Sequence, residues 1–241
     1  MISFALLSVR NSPLNIFLLN ELENLNIFPD HIIFDKKNWS KLDLERFYYR
    51  IGEKLPNENN FKDNPKFPFL DVENHNNLIT IDYLKENKVN FLVNAGTPRI
   101  LNEATINSTN LGILNCHPGI LPAFKGCCCV EWAIYLDKPV GNSIHWMDKG
   151  IDTGPIINTQ ITKCFENDTY QDIRKRVYFD GFKLLAKSIN ELKKINLQSN
   201  SEYFKGHINE GGNYYKPMKD DLLDEVINKL KIGKYKYQFS K

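Results

Sequence analysis

Four short apolar runs, separated by amphipathic stretches, constrain the fold of this chain more than anything else in it. Residues 2–9, 31–34, 89–93 and 111–115 are rich in Ile, Leu, Val and Phe and read as strands. Between the first two, Ser12-Pro13 offers an N-cap and a proline at the first helical position. Leu14, Phe17, Leu18, Leu22 and Leu25 then recur at helical spacing to about Asn26. Asn76-Asn77 precede another helix through about Asn87, with Ile81 and Leu84 facing inward, and a short helix is expected before the strand at 111–115. Strands that alternate with helices pair in parallel, so the expected fold is α/β, a doubly wound and mostly parallel sheet. Ligands of such sheets lie beyond the carboxyl ends of the strands. The loop at Gly96 and the stretch from Asn115 to His117 both fall there.

The rest of the chain continues the pattern with one gap. Residues 36–72 show no clear periodicity; Phe47-Tyr48-Tyr49 is expected to pack, and the Pro- and Asn-rich stretch 56–68 to be loop. After Gly126 a helix runs to about Leu136, followed by strands at 141–147 and 155–162. Asp168-Thr169-Tyr170-Gln171 resembles a capping box and opens a long helix to about Lys194. A soft boundary near residue 200 separates residues 1–200 from a small extension, 201–241. That extension is first aromatic- and glycine-rich, with a turn at Glu210-Gly211-Gly212-Asn213. It ends in an amphipathic helix from Asp220, with Leu222, Leu223, Val226, Ile227 and Leu230 inside.

Composition removes several function classes. The chain of 241 residues has a net charge of only +2, with Lys and Arg dispersed among Asp and Glu, which speaks against a dedicated nucleic-acid surface. No apolar run approaches the roughly 18 residues of a membrane span, and residues 2–7 read as a buried strand rather than a signal peptide. The five cysteines are odd in number and three are adjacent, Cys127-Cys128-Cys129, which points to a reducing, cytoplasmic setting. No C-x-x-C pair accompanies them, so no metal site is expected and the triplet reads as small, buried residues at a helix start. There is neither a G-x-G-x-x-G nor a G-x-x-x-x-G-K-[ST] motif, so dinucleotide and P-loop readings lose their main support.

The chemistry gathers between residues 115 and 154. Pro118 disfavours helical geometry at the residue before it, so His117 is expected to be extended. Asn115 and His117, two apart, then project together while Cys116 turns to the core. Some distance on, Met147-Asp148-Lys149-Gly150-Ile151-Asp152-Thr153-Gly154 is a glycine-punctuated loop with two carboxylates. An amide, an imidazole and a carboxylate in one pocket can stabilise an oxyanion, move a proton and orient the base. Asp148 reads more naturally as a cap of the Gly150 turn. His145, inside a strand, reads equally as structural, and Lys125 as a phosphate ligand or a solvated loop charge.

Asn115-x-His117-Pro118, Leu121-Pro122-x-Phe124-Lys125-Gly126 and Asp152, in this order and spacing, resemble the formyltransferases that use 10-formyltetrahydrofolate. The resemblance covers residues 89–157 closely and 1–190 more loosely. It implies a Rossmann-like fold, 10-formyltetrahydrofolate as co-substrate, no metal, and Asn115, His117 and Asp152 as the catalytic trio. In that reading a primary amine attacks the formyl carbon and the Asn115 amide stabilises the oxyanion. His117 accepts the amine's proton or, once protonated, shares the oxyanion, and Asp152 holds the imidazole's tautomer. Matching the family's folate pocket places Arg99, Ile100 and Leu101, with Asp148 and Gly150, against the folate.

Length, a short C-terminal extension and the aromatic Tyr214-Tyr215-Lys216-Pro217 resemble the branch that formylates amino sugars on nucleotides. The expected acceptor is then a dTDP-linked 4-amino-4,6-dideoxyhexose, held by Arg10 and Lys125 at its phosphates and by Tyr214 and Tyr215 at its base. The expected partners are this nucleotide-linked sugar and a second copy of the chain in a homodimer, with neither nucleic acid nor membrane. Two alternatives stay open: a phosphoribosylglycinamide formyltransferase, which the Leu-Pro-Ala-Phe-Lys-Gly wording also resembles, and a non-catalytic or hydrolytic folate-binding homologue.

Overall fold

The structure, a computed structural model, describes residues 2–53, 67–195 and 205–240. Its centre is a seven-stranded sheet. Strands β1 (Phe4–Val9), β2 (His31–Asp35), β3 (Phe69–Val72), β4 (Phe91–Asn94) and β5 (Ile113–His117) pair in parallel in the order β3-β2-β1-β4-β5. Past β5 lie β7 (Gly141–Trp146) and β8 (Ile156–Ile161), both antiparallel to their neighbours. The sheet is therefore mixed but mostly parallel, and the strand order reverses at β1 and β4, where a doubly wound sheet opens a ligand crevice.

The central strands are buried on both faces, which is why their sequences are continuously apolar. Alternate residues divide between two cores. Phe4, Leu6, Ile32, Phe34, Phe91 and Val93 face one core, built with Leu18 and Leu22 of α1 (Leu14–Asn24) and with Leu185 and Ile189 of α6 (Tyr170–Lys194). Ala5, Leu7, Ile33 and Leu92 face the other, with Leu84 of α3 (Leu78–Glu86) and Ile106 of α4 (Glu103–Ile106). Cys116 leans on the first core, as its alternation requires, and burial pushes its thiol up to about 12. The capping box of α6 is present, formed by Thr169 with Asp172.

One helix escapes the sequence reading. Lys41–Ile51 forms α2, with Ser40 accepting from the Asp43 N–H at its start and Gly52 in the left-handed region at its end. Phe47 is buried, as expected. The loop expected at 56–68 and the boundary near 200 fall largely or wholly in residues 54–66 and 196–204, outside the described residues. Beyond residue 205, β10 (Asn213–Tyr215) pairs with β6 (Phe124–Gly126), and β11 (Gln238–Phe239) pairs with β9 (Cys164–Phe165). The last helix, α7 (Asp220–Lys231), buries Val226 and Leu230 in a cluster with Val130 and Ile134 of α5 (Cys129–Tyr135).

Of the cysteine triplet only Cys129 is buried. Helix α5 begins at the last residue of the triplet, two residues after its start. Cys127 is exposed, and Cys128 is its left-handed N-cap at φ 54°.

Candidate active site

Asn115 and His117 stand two apart at the carboxyl end of β5, each opposite a residue of β7: Asn115 opposite His145 and His117 opposite Ser143. The β7–β8 pairing slips between Ile144 and His145. Such a break lies next to many active sites, where it re-aims a side chain. His145 is the residue brought in, with Nε2 3.1 Å from Asn115 Nδ2 and 3.5 Å from Asp152 Oδ1. Nothing local in the sequence separates it from a structural histidine; the antiparallel register does.

Asp152 completes the cluster from the loop between β7 and β8. Its backbone lies in the left-handed region at φ 54°, which aspartate tolerates better than most residues. Its Oδ2 accepts from the Gly126 N–H at 2.9 Å and lies 3.3 Å from His117 Nδ1. His117 is 4% exposed and Asp152 12%, so the carboxylate carries the more open edge of the pair.

The other ring nitrogen of His117 faces the Phe124 carbonyl at 2.8 Å. A carbonyl can only accept, so Nε2 keeps a proton and Nδ1 is left to bind the next one against Asp152. The tautomer is thus held by the Phe124 backbone, where the sequence had assigned that task to Asp152. Asp152 instead faces Nδ1 at 3.3 Å, where its negative charge favours a second proton on the ring. Gly119 makes the arrangement possible, because a Cβ there would stand 2.6 Å from His117 Nε2 and 2.9 Å from the Phe124 oxygen.

Burial holds the His117 pKa below the ordinary imidazole value, against the pull of Asp152. Burial also works to raise Asp152, but His145, His117 and the Gly126 N–H outweigh it and leave the carboxyl below its usual range. The resting state near neutrality is therefore a neutral imidazole beside a carboxylate, ready to take one proton. A base of depressed pKa stays deprotonated to lower pH. The acid limb of kcat/KM is accordingly expected below the ordinary 6.5 of histidine, and a pH–rate profile checks this. A limb well above that value would contradict it.

The structure places the other expected contacts variously. Ile100 is 94% exposed on the loop after β4, while Leu101 is buried in the core that Met147 also touches, which joins this loop to the one bearing Asp152. Arg99 is engaged by other groups of the fold. Its guanidinium forks onto the fully buried Asp35 carboxylate and onto the Glu73 carbonyl. The pair ties the loop after β4 to the end of β2, so Arg99 anchors the loop whatever else it does. Asp148 Oδ1 accepts from the Gly150 N–H and the Thr153 hydroxyl, and a Cβ on Gly150 would meet Thr153 Oγ1 at 2.0 Å. Both residues shape the turn that presents Asp152.

Arg10 forms a two-pronged pair with Asp71 at 2.8 and 2.6 Å and lies over the Phe34 and Phe69 rings. Lys125 is buried, with Nζ donating to the Asn209 carbonyl at 3.1 Å. Tyr215 is packed between Phe124 and Trp132, whereas the half-exposed Tyr214 ring lies over Gly126, beside the N–H that holds Asp152. Asn209, which no sequence signal marked, donates to the carbonyls of Asp152 and Gly154 at 3.0 and 2.7 Å and ties the loop to the C-terminal segment.

Next to this cluster opens a cavity of about 820 Å³. Trp39, Phe47, Tyr49 and Tyr178 give it aromatic walls, Arg46 and Arg50 face it from successive turns of α2, and the carboxylates of Asp43, Glu45, Glu131 and Asp220 also line it. It reaches the cluster at two points: Thr97, whose N–H bonds Asn94 beside Asn115, and Cys127, which follows Gly126. Among the described residues Arg46 has no ionic partner. Arg50 lies 3.9 Å from Glu131, which Arg174 also neutralises from behind.

Residues 50–189 match the formyl transferase family. The chain is 30% identical over 146 residues to the bifunctional polymyxin resistance protein ArnA of Wigglesworthia glossinidia brevipalpis, covering 58% of this chain and 22% of that protein. It is 32% identical over 117 residues to the phosphoribosylglycinamide formyltransferase of Bacillus subtilis (strain 168), covering 48% and 60%. The chain thus spans less than two thirds of the length of these curated relatives. In three dimensions it is similar to a sugar N-formyltransferase from Shewanella sp FDAARGOS_354, with TM-score 0.61, 21% identity and coverage of 94% and 86%. It is also similar to the formyltransferase PseJ from Anoxybacillus kamchatkensis, in complex with UDP-4,6-dideoxy-4-formamido-L-AltNAc and tetrahydrofolate, with TM-score 0.55, 21% identity and coverage of 98% and 95%. The match over more than half its length, on a fold shared with solved members, makes this chain a member of the formyl transferase family.

Proposed function

We propose that the protein moves a formyl group from 10-formyltetrahydrofolate to the amine of a nucleotide-linked amino sugar, with a dTDP-linked 4-amino-4,6-dideoxyhexose as acceptor. The observation that carries this reading is the aromatic cavity with two arginines, whose wall at Thr97 and Cys127 leads through Asn94 and Gly126 to Asn115 and Asp152. A nucleotide sugar needs room for a base, donors for two phosphates and access for its amine to the cluster. The base platform in this reading moves from Tyr214 and Tyr215 to the cavity wall, with Tyr214 kept as a rim contact. The phosphates move from Arg10 and Lys125, which are engaged elsewhere, to Arg46 and Arg50.

The co-substrate would lie against the exposed Ile100 and the loop bearing Gly150, two surfaces joined through Leu101 and Met147. When bound it supplies an already activated formyl carbonyl. The chain's own groups do the rest. Asn115 Nδ2 carries a second N–H, beyond the one directed at His145, that stabilises the negative charge developing on the formyl oxygen. The amine's proton passes to the contact between His117 Nδ1 and Asp152 Oδ2, where the carboxylate balances the imidazolium.

A competition assay tests the acceptor. The nucleoside diphosphate dTDP alone is expected to compete with it, and the free amino sugar to be a very poor substrate, because remote binding energy positions the reacting amine. A phosphoribosylglycinamide acceptor, which the Bacillus subtilis relative keeps as the second reading, predicts inhibition by a ribose monophosphate and indifference to dTDP.

A further inference from the structure

We infer that Asn94 is a positioning residue that fixes which end of the Asn115 amide faces the reaction. Asn94 ends β4, one strand away from Asn115. Its Oδ1 accepts from the Gly96 and Thr97 N–H groups at 3.2 and 3.1 Å, and its Nδ2 donates to Asn115 Oδ1 at 2.9 Å. Asn115 Nδ2 then meets His145 Nε2 at 3.1 Å, and His145 Nδ1 meets the Trp146 carbonyl at 2.8 Å.

Both ends of this chain are main-chain groups that cannot change role. The N–H groups of Gly96 and Thr97 only donate, and the Trp146 carbonyl only accepts. Every polarity between them follows. Asn94 must turn its oxygen to the loop and its nitrogen to Asn115. Asn115 must receive at its oxygen and so present its nitrogen. His145 must then accept at Nε2 from Asn115 and donate from Nδ1 to the Trp146 carbonyl, with Asp152 Oδ1 3.5 Å from the same Nε2. Without this constraint the Asn115 amide could rotate and put a carbonyl where an oxyanion must form, turning a stabilising donor into a repelling acceptor. The same oxygen of Asn94 anchors the loop that carries Thr97 into the cavity wall, so one side chain couples loop and amide.

The inference rests on the reading of Asn115 as the oxyanion donor, and its test separates the two. Asn94→Asp is nearly isosteric and keeps the acceptor for Gly96 and Thr97, so the loop anchor survives while the donor to Asn115 is lost. Turnover with whichever amine the wild-type protein formylates is expected to fall on the order of 100-fold, with little change in KM, as for a misplaced reacting group. A second readout needs no substrate. Nitrogen-15 NMR of labelled histidine in the wild-type protein is expected to find the His145 proton on Nδ1. In the variant the Asn115 amide turns its nitrogen to the new carboxylate, so His145 is expected to gain a proton on Nε2 as well. A wild-type proton on Nε2, or a folded Asn94→Asp variant with near-normal turnover, would overturn the inference.

Discussion

Turnover of a His117→Ala variant is expected to fall about 100- to 10,000-fold, the range for removal of a general acid–base. The size follows from what the imidazole alone provides. Its Nε2 proton is committed to the Phe124 carbonyl, and its Nδ1 is the basic nitrogen that faces Asp152 Oδ2, at 3.3 Å. Folding should survive, because Asp152 keeps its bond from Gly126 and its proximity to His145. The cost is one buried carbonyl left without a donor, about 1–3 kcal/mol. A His117→Gln variant, whose amide can supply that donor, separates this packing loss from the chemical one. Both variants are expected to be equally slow, with the Gln variant melting higher. Near-normal turnover in either folded protein would remove His117 from the mechanism.

Asp152→Asn is expected to slow turnover by a comparable factor, about 100- to 10,000-fold. Asparagine accepts the left-handed backbone that Asp152 adopts, and its oxygen can still receive the Gly126 N–H. What disappears is the charge that balances an imidazolium at His117. With that oxygen still at Gly126, the new amide nitrogen takes the Oδ1 position beside His145, and His117 Nδ1 faces a neutral oxygen in place of a carboxylate. The acid limb of the pH–rate profile should therefore move further down in this variant even as the plateau falls. Thermal melting and the pH profile check both halves of the expectation. A variant with a normal plateau would show that the charge is dispensable.

How much of this site could be read from the sequence depended on whether its parts were local. Asn115 and His117 were legible because they sit two apart on one strand before a proline, and β5 alternates as such a strand must. Asp152 came from the resemblance to the formyltransferases, because the glycine-punctuated loop carries both Asp148 and Asp152 and does not by itself choose between them. His145 was not legible, because its role comes from β7 running antiparallel to β5 and from the break at Ile144, and neither leaves a local pattern. Asn209 holds the Asp152 loop from far along the chain, so no window of sequence contains both partners.

The expected substrate contacts fared differently, for electrostatic reasons. Arg10 and Lys125 are well placed along the chain, but a carboxylate on β3 pairs with the first and a backbone carbonyl receives the second. A cation's usefulness to a ligand depends on who else is near it, and only the fold decides that. Helix α2, which brings Arg46 and Arg50 to the cavity, does leave a local signal. Ser40 stands three residues before Asp43, and Leu44, Phe47 and Ile51 follow at helical spacing.

The central claim, transfer of a formyl group to a sugar-borne amine at the Asn115–His117–Asp152 cluster, is tested most directly by incubating the purified protein with 10-formyltetrahydrofolate and a panel of amine acceptors. The panel should include dTDP-linked 4-amino-4,6-dideoxyhexoses, phosphoribosylglycinamide and the free amino sugars, each read by mass spectrometry for the gain of one formyl group. The account predicts that gain on a nucleotide-linked amino sugar, its absence on the free sugar, and its loss in the His117→Ala protein. Formylation of phosphoribosylglycinamide alone, or of none of the panel by a folded protein, would contradict it.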